Sequence, residues 1–509
     1  MNAMIDNQPS KYAVSPPIDA DVVVIGAGPA GMSAAIELAT AGCRVIVVDM
    51  QPSPGGQIFR AVEANHAARP NTESLLAALG PAYAAGFELV ERFRSTPGID
   101  YRPETTVWEL RADGTVGWLR DMSAGYLRAS CVVLANGAME RPVPFPGWTL
   151  PGVLTAGAVQ TLLKAGRLKP EGRIVLAGAG PLIMLLADQL RRLGVRPVLI
   201  ARTDTFGDKF NALSKLRIAA LPALGKGLGW IASLKMAGIP MLTGISNLRA
   251  HGVDVVESVS IDVGGKNMTV PCDMLVVHDG VIPSTDLAHG AGLAMEWLHG
   301  DSSWRPKTSS EGLAEAAPGP ALTSGPCRIF VSGDARGIGG ADAAMAHGRH
   351  VAASIIRDLG KSISTKHGSA AKALSIAMAG RPFIDAAFPP GLAGRLPEDD
   401  TIVCRCEELD AGTLRKAIRE GARDMNLVRG ILRCGMGPCQ GRHCSITLAR
   451  LLAEEGVTDR PHLPFRARPP LRPIPLGALA NLSGLDPELA HIVSLDDKPK
   501  ASMEDDAHE

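Results

Sequence analysis

Five of the chain's nine cysteines, Cys404, Cys406, Cys434, Cys439 and Cys444, crowd into the stretch 404–444. Four thiolates delivered from two loops can close a tetrahedral site around a pair of irons or around a single zinc. The Cys-x-Cys of Val403-Cys404-Arg405-Cys406 is unlike the Cys-x-x-Cys knuckles of most structural zinc sites, and the plant and bacterial ferredoxin spacings do not match either. Spacing alone therefore leaves both metals open. Arg405, Arg433 and Arg442 flank these cysteines; they either offset the charge of a four-thiolate cluster, raising its potential, or are solvated surface charges. His443 lacks the second histidine of a Rieske centre and is read as a bystander. Cys43, Cys131, Cys272 and Cys327 are far apart, and three stand in apolar or strand-like contexts, where free cysteine behaves as a small core residue. With no redox-active pair among them, disulfide reductase activity is not expected.

A second chemistry is written in glycines. The β-branched run Asp21 to Ile25 breaks into Gly26-Ala27-Gly28-Pro29-Ala30-Gly31, then a helical stretch Met32 to Ala41, then a strand Arg44 to Val48 that ends at Asp49. Gly26 permits a tight turn, Gly28 lets the backbone approach a pyrophosphate at the helix N-terminus, and Gly31 allows close packing of helix on strand. Asp49, about twenty residues on, can accept hydrogen bonds from a ribose hydroxyl. The pattern recurs at Gly178-Ala179-Gly180-Pro181-Leu182-Ile183, between the strand Arg173 to Ala177 and a helix running to Leu193, followed by the strand Pro197 to Ile200. There Ile183 replaces the close-packing glycine and Ala201 replaces the ribose acid, so the fold is kept while its cofactor chemistry is damaged. Arg202 could meet a 2′-phosphate, but a solvated arginine is the plainer reading.

The elements that must position these residues fill a long chain. At 509 residues it exceeds a single domain, and Lys+Arg and Asp+Glu both total 52, a balance that leaves no field to hold nucleic acid. The apolar stretch 174–187 is too short and too rich in glycine to span a bilayer, and residues 1–17 offer no apolar run for secretion. A cytoplasmic protein is expected, with membrane association through its electron acceptor left open. The divisions expected are a flexible N-terminus (1–19), a first nucleotide-binding segment (20–151), a second, degenerate nucleotide fold (152–283), the return of the first (284–365), a linker (366–400), the cysteine module (401–456) and a Pro-rich tail (457–509). Pro461 to Pro475 should run extended, either as a strap facing a partner or packed back on its own chain. The charged end from about Asp496 should be disordered.

Two dinucleotide folds in one chain, the first intact, resemble the two-domain flavoprotein disulfide reductases, an α/β architecture with FAD on the first fold and NAD(P) on the second. Gly55-Gly56-Gln57, Val133-Leu134-Ala135-Asn136-Gly137-Ala138 and Ile329-Phe330-Val331-Ser332-Gly333-Asp334 match that family as well. The resemblance implies FAD contacts from Gly26, Gly28, Pro29, Ala30, Gly31, Asp49, Met50, Gly56, Gln57, Ala135, Gly137, Gly333, Asp334, Gly340 and Ala341. Apart from it, Gly333-Asp334 also reads as an ordinary turn before a helix. The cysteine module resembles the bacterioferritin-associated-ferredoxin-like [2Fe-2S] domain, which implies Cys404, Cys406, Cys439 and Cys444 as cluster ligands and leaves Cys434 as a spare thiol or alternative ligand.

As a whole the chain resembles the A (α) subunits of heteromeric amino-acid and opine oxidases or dehydrogenases, among them octopine and nopaline oxidase, hydrogen cyanide synthase, hydroxyproline dehydrogenase and, more distantly, sarcosine oxidase. That likeness implies a flavoprotein β subunit that does the amine chemistry, in some assemblies a small ferredoxin-like subunit, and an electron acceptor such as a quinone. It leaves open an adenine nucleotide in the second fold and an FMN at a subunit interface. No catalytic acid–base pair is assigned to this chain. An NAD(P)H-dependent reductase and a non-catalytic scaffold are the competing readings.

Overall fold

The structure, a computed structural model, describes residues 19–480 and 482, apart from 219–220, 319–326, 363–368, 393 and 458–462. The expected flexible N-terminus up to residue 18 and the charged end from residue 496 lie outside the described residues.

Along the chain, β1 (Ala20–Ile25), α1 (Pro29–Thr40), β2 (Val45–Val48), β3 (Ile99–Arg102) and β4 (Ala129–Leu134) lead to the short strand β5 (Ala138–Glu140). Next come β6 (Val153–Thr155), β7 (Ile174–Ala179), α2 (Pro181–Arg192), β8 (Leu199–Arg202), α3 (Phe206–Ala212), α4 (Leu221–Met236), β9 (Met241–Leu242), β10 (Met274–Asp279) and β11 (Val281–Pro283). The chain then returns through β12 (Arg328–Val331) and α5 (Ala341–Asp358). Two five-stranded sheets result, ordered β12-β4-β1-β2-β3 and β9-β8-β7-β10-β6, with their strand pairs parallel. Strands such as Val22-Val23-Val24-Ile25 are apolar at successive positions because a parallel sheet is covered on both faces.

The first sheet is assembled from two distant segments. Arg328–Val331 pairs with β4, and α5 lies so close on α1 that a Cβ at Gly348 would stand 2.2 Å from the Ala30 carbonyl oxygen. A two-stranded antiparallel ribbon, β5 with β11, marks where the second fold leaves and rejoins the first. Three further strands, Ile245–His251, Ser258–Val263 and Lys266–Pro271, cover one face of the second sheet.

Beyond Asp358 the chain forms α6 (Arg381–Ala387), then a compact module of α7 (Ala411–Arg419), α8 (Met425–Leu432) and α9 (Ser445–Glu454). Its core of Leu414, Ile418, Val428, Leu448 and Leu451 also takes in Ile282 and Trp304 from the nucleotide-binding part, so the module is seated on it rather than tethered to it. The tail returns: Phe465 is buried in that core, Leu471 is buried in the core of the first fold and donates its N–H to the Trp108 carbonyl at 2.8 Å, and Arg472 pairs with Asp286. Of the two readings of the Pro-rich segment, packing back on its own chain is what its described residues do.

Candidate flavin and cysteine sites

In the first fold the glycines are placed by contact. A Cβ at Gly31 would meet the Gly26 carbonyl oxygen at 1.8 Å, and one at Gly26 the Ala135 carbonyl oxygen at 2.5 Å, so helix, turn and β4 meet where no side chain fits. A Cβ at Gly28, by contrast, would find only Gly56 Cα, at 3.8 Å, which leaves the turn open to a ligand. Helix α1 starts there with Pro29 in its first turn and no side-chain cap, so its N-terminal amides keep their capacity for an anion. Asp49 is buried and accepts from Ala27 N at 2.5 Å through Oδ2 and from Gln51 N at 2.7 Å through Oδ1. Burial raises its carboxyl pKa against the pull of those amides and of Arg60. Met50 and Gln57 are exposed.

Across the sheet, Gly333 has φ +66° and no room for a Cβ against Ala30, while Asp334 Oδ1 accepts from Gly339 N (2.8 Å) and Gly340 N (3.2 Å). Helix α5 begins at Gly340 without a side-chain cap, and Gly137 and Gly340 both face open space. Asp334 and Gly333 line a cavity of about 300 Å³ with Arg336 and His347. His347 is a participant that no motif singles out: its Nδ1 accepts from Gly333 N at 2.8 Å, and burial, helped by Arg336, pushes its pKa down to about 3, so it is neutral and fixes the turn as an acceptor. An open glycine cradle, a bound acid and two uncapped helix starts fit the pyrophosphate, ribose and ribityl portions of a dinucleotide cofactor.

In the second fold the turn is made the same way but the crevice is furnished differently. A Cβ at Gly178 would meet the His278 carbonyl oxygen at 1.8 Å, and Ile183 and Ala201 are fully buried in the cores on either side of the sheet. Arg202 is neither solvated nor free for a 2′-phosphate, which corrects both expectations. It is buried, its Nε donates to Asp204 Oδ1 at 2.9 Å, and the pair also takes in Lys209. Burial forces this arginine to find a carboxylate, and Asp204 is the one in reach. The imidazole of His278 lies beside Gly180, with its Nδ1 2.6 Å from Glu140 Oε1. From the linker, Gly391 N (3.0 Å) and Leu392 N (3.2 Å) donate to Asp279 Oδ1, and Gly391 has no space for a Cβ because Thr203 stands against it. Thr203 follows β8 and Asp279 ends β10, the two neighbours of β7, so the linker crosses the carboxyl end of the sheet where a nucleotide would lie.

The cysteine loops converge. The sulfurs of Cys404, Cys434 and Cys444 lie within 4.8 Å of one another, and all three residues are buried. Cys406 and Cys439 face each other beside them, Cys406 exposed and Cys439 half-buried. Cys434, left aside by the resemblance, therefore stands among the thiols rather than apart from them. Hydrogen bonds from the Cys434 and Cys444 thiols, then from Gly435 N and Glu407 N, hold Cys404 as a thiolate with its pKa near 2, and that charge in turn drives Cys434 and Cys444 upward. Three sulfurs this close form a donor set that a bound cation would draw into thiolate form. Positive-φ turns at Gly435 and Gly441 bring the loop against Phe465, leaving no room for a Cβ at either glycine. Arg442 is half-buried and donates from Nε to the Cys439 carbonyl at 2.9 Å, whereas the exposed Arg433 pairs with Glu407. Cys43, Cys131 and Cys272 are buried in the cores, as expected.

Residues 20–302 match the pyridine nucleotide-disulphide oxidoreductase family, and residues 402–454 match the BFD-like [2Fe-2S] binding domain. The chain is 38% identical to the opine oxidase A-subunit of Rhizobium meliloti over 91% of this chain and 87% of that one. It belongs to the opine oxidase A-subunit family. Within the same family likeness, it is 32% identical to hydrogen cyanide synthase subunit HcnB of Pseudomonas protegens, over 90% of this chain and 96% of the other. Among solved structures, L-proline dehydrogenase from P. horikoshii superposes with a TM-score of 0.62 at 20% identity, covering 90% of this chain and 79% of that one, which shows a shared fold. This member of the family is an oxidoreductase that joins a flavin-type nucleotide fold to a [2Fe-2S]-binding domain. Among the described residues no helix is long and apolar enough to cross a membrane.

Proposed function

We propose that the chain is the electron-transfer α subunit of a heteromeric oxidase or dehydrogenase that cleaves the C–N bond of an opine, hydroxyproline or a similar amine, the amine chemistry residing mainly in a flavoprotein β subunit. The observation that carries this reading is the seating of a five-thiol module directly on a nucleotide fold whose cradle is open, in a chain whose second crevice is crossed by its own linker. FAD would lie on Gly26, Gly28, Gly31 and Asp49, with its ribityl end at Gly333, Asp334 and Gly340. A [2Fe-2S] cluster would be held by Cys404, Cys406, Cys439 and Cys444, with Cys434 lining its floor. When bound, the flavin takes up two electrons together while the cluster carries one at a time, so their pairing divides a hydride equivalent for a single-electron carrier. Arg442 and the amides of the cysteine loop would hold the charge of the cluster.

The names of the relatives, one from an opine oxidase and one from a hydrogen cyanide synthase and each called a subunit, support a partnered enzyme. The test is to purify the chain alone and with its co-purifying subunits, anaerobically. The complex should oxidise an opine, hydroxyproline, sarcosine or glycine, while the isolated chain, flavin-loaded, should not; steady amine turnover by the isolated chain refutes the division of labour. About two irons and two acid-labile sulfides per chain are expected, with Cys439→Ser losing them and Cys434→Ser keeping them. The opposite outcome moves the ligand role to Cys434.

A further inference from the structure

Helix α4 is apolar on two sides. Inward, Leu234 is fully buried and packs with Trp230 and Ile231 against the core under α2. Outward, Leu221, Gly225, Leu228, Ala232 and Met236 repeat at the spacing of one helix face, and every one is exposed, Met236 by 83%. A surface helix of a globular protein ordinarily turns its polar side to water, so the apolar outer face of α4, edged by Lys226 and Lys235, is unfinished. The preceding helix α3, joined to α4 through a cluster of Ala212, Leu216, Leu224 and Phe383, repeats the feature: Phe206 and Phe210, one turn apart, continue into Leu213, and Phe206 is 82% exposed, with Ile218 at 87% beyond them. No other stretch of this length among the described residues exposes as many large apolar side chains.

The polar residues around these faces have one sign. Between Thr205 and Gly238 the bases are Lys209, Lys215, Arg217, Lys226 and Lys235, and the only acid is Asp208. Asp208 is occupied as the capping-box partner of Thr205, and Lys209 pairs with Asp204; the other four bases have no carboxylate partner among the described residues. Protein interfaces are depleted in lysine and favour arginine at their cores. An apolar face with exposed phenylalanine and leucine, edged by unpaired lysines, is instead the pattern of helices that lie in the headgroup region of an anionic bilayer.

We propose that α3 and α4 form a docking face for the surface of an anionic lipid membrane, with Phe206, Phe210, Leu221, Leu228 and Met236 entering the headgroup boundary and Lys215, Arg217, Lys226 and Lys235 meeting lipid phosphates. The chain lies on the membrane and does not cross it. This inference is independent of the proposed electron-transfer role, since it concerns an outer surface of the second fold.

The experiment is flotation of the full flavin-loaded chain, and of the native complex, with vesicles of phosphatidylcholine alone or enriched in phosphatidylglycerol. Binding is expected to the anionic vesicles only and to weaken as salt rises. The pair Phe206→Ser, Phe210→Ser should weaken it about tenfold, and Lys226→Gln with Lys235→Gln about fivefold for each lysine removed. These side chains are exposed, so flavin content and melting temperature serve as the control for intact folding. Hydrogen exchange on the unaltered chain should slow across residues 206–236 when anionic vesicles are added. Failure of both chain and complex to float, or flotation indifferent to both pairs of substitutions, overturns the proposal. Exchange protection of 206–236 by the partner subunit, in a complex that ignores vesicles, assigns the face to that protein instead.

Discussion

The two nucleotide folds of this chain share a glycine turn, a helix and a parallel sheet, yet they treat the space in front of the turn in opposite ways. In the first, Gly28 opens onto space bordered only by Gly56, and Asp49 is held by two amides at the end of β2. In the second, the equivalent strand ends in Arg202, locked to Asp204, and Gly391 of the linker is wedged between Thr203 and the Asp279 carboxylate. Geometry of the turn survives because Gly178 has no alternative against the His278 carbonyl, whereas ligand chemistry depends on a few side chains that can be exchanged without disturbing the sheet. A fold and its binding function are therefore separable within one polypeptide.

That contrast can be broken most severely by giving the first fold the residue of the second. Gly31→Ile would drive a branched side chain into the Gly26 carbonyl, 1.8 Å from the Cβ position, and no soluble flavin-bearing protein is expected on expression. A milder change isolates binding from folding. The Cβ of Gly28→Val meets nothing closer than Gly56 Cα at 3.8 Å, so the turn should form, with flavin per chain falling about tenfold or more because the pyrophosphate is excluded. Ile183→Ala, at the matching position of the second fold, should lower unfolding free energy by about 2–5 kcal/mol through a buried cavity while leaving flavin content unchanged; urea titration and the flavin spectrum read the two effects apart. The smallest expected effect is none: NADH or NADPH should leave the bound flavin oxidised over minutes, and rapid bleaching would show that the linker does not close the second crevice.

Much of this is legible in the order of residues alone, for reasons tied to particular positions. Glycine turns, the acid at Asp49 and the run of apolar strands report directly on backbone geometry, which is why both sheets and the cysteine module follow from local pattern. Arg202 illustrates what local pattern misses: nothing nearby in sequence distinguishes a solvated arginine from one buried on Asp204, because burial is decided by Phe388 and the linker, nearly two hundred residues on. Cys434 is a similar case, since its place beside Cys404 and Cys444 depends on the left-handed turn at Arg433 and Gly435 and on Phe465 pressing the loop inward. His347 carries no motif, and its part in holding Gly333 N emerges only from α5 lying across the turn.

The ribbon of β5 and β11 has a meaning for how the chain finds its fold. The first sheet needs β12 beside β4, and the intervening chain, if structureless, would be a long loop whose closure entropy must be overcome before that pairing forms. Because Glu140 pairs with Val281 and Ala138 with Pro283, and because Ser284 N donates to the Gly137 carbonyl at 3.0 Å, the inserted fold begins and ends at nearly the same point. Once folded, it behaves as a short connection, and the contact order felt by the flavin fold drops to that of a domain without the insertion. A nucleotide fold stripped of its ribose acid thus still has work as a clasp, bringing the two halves of its neighbour within reach of each other.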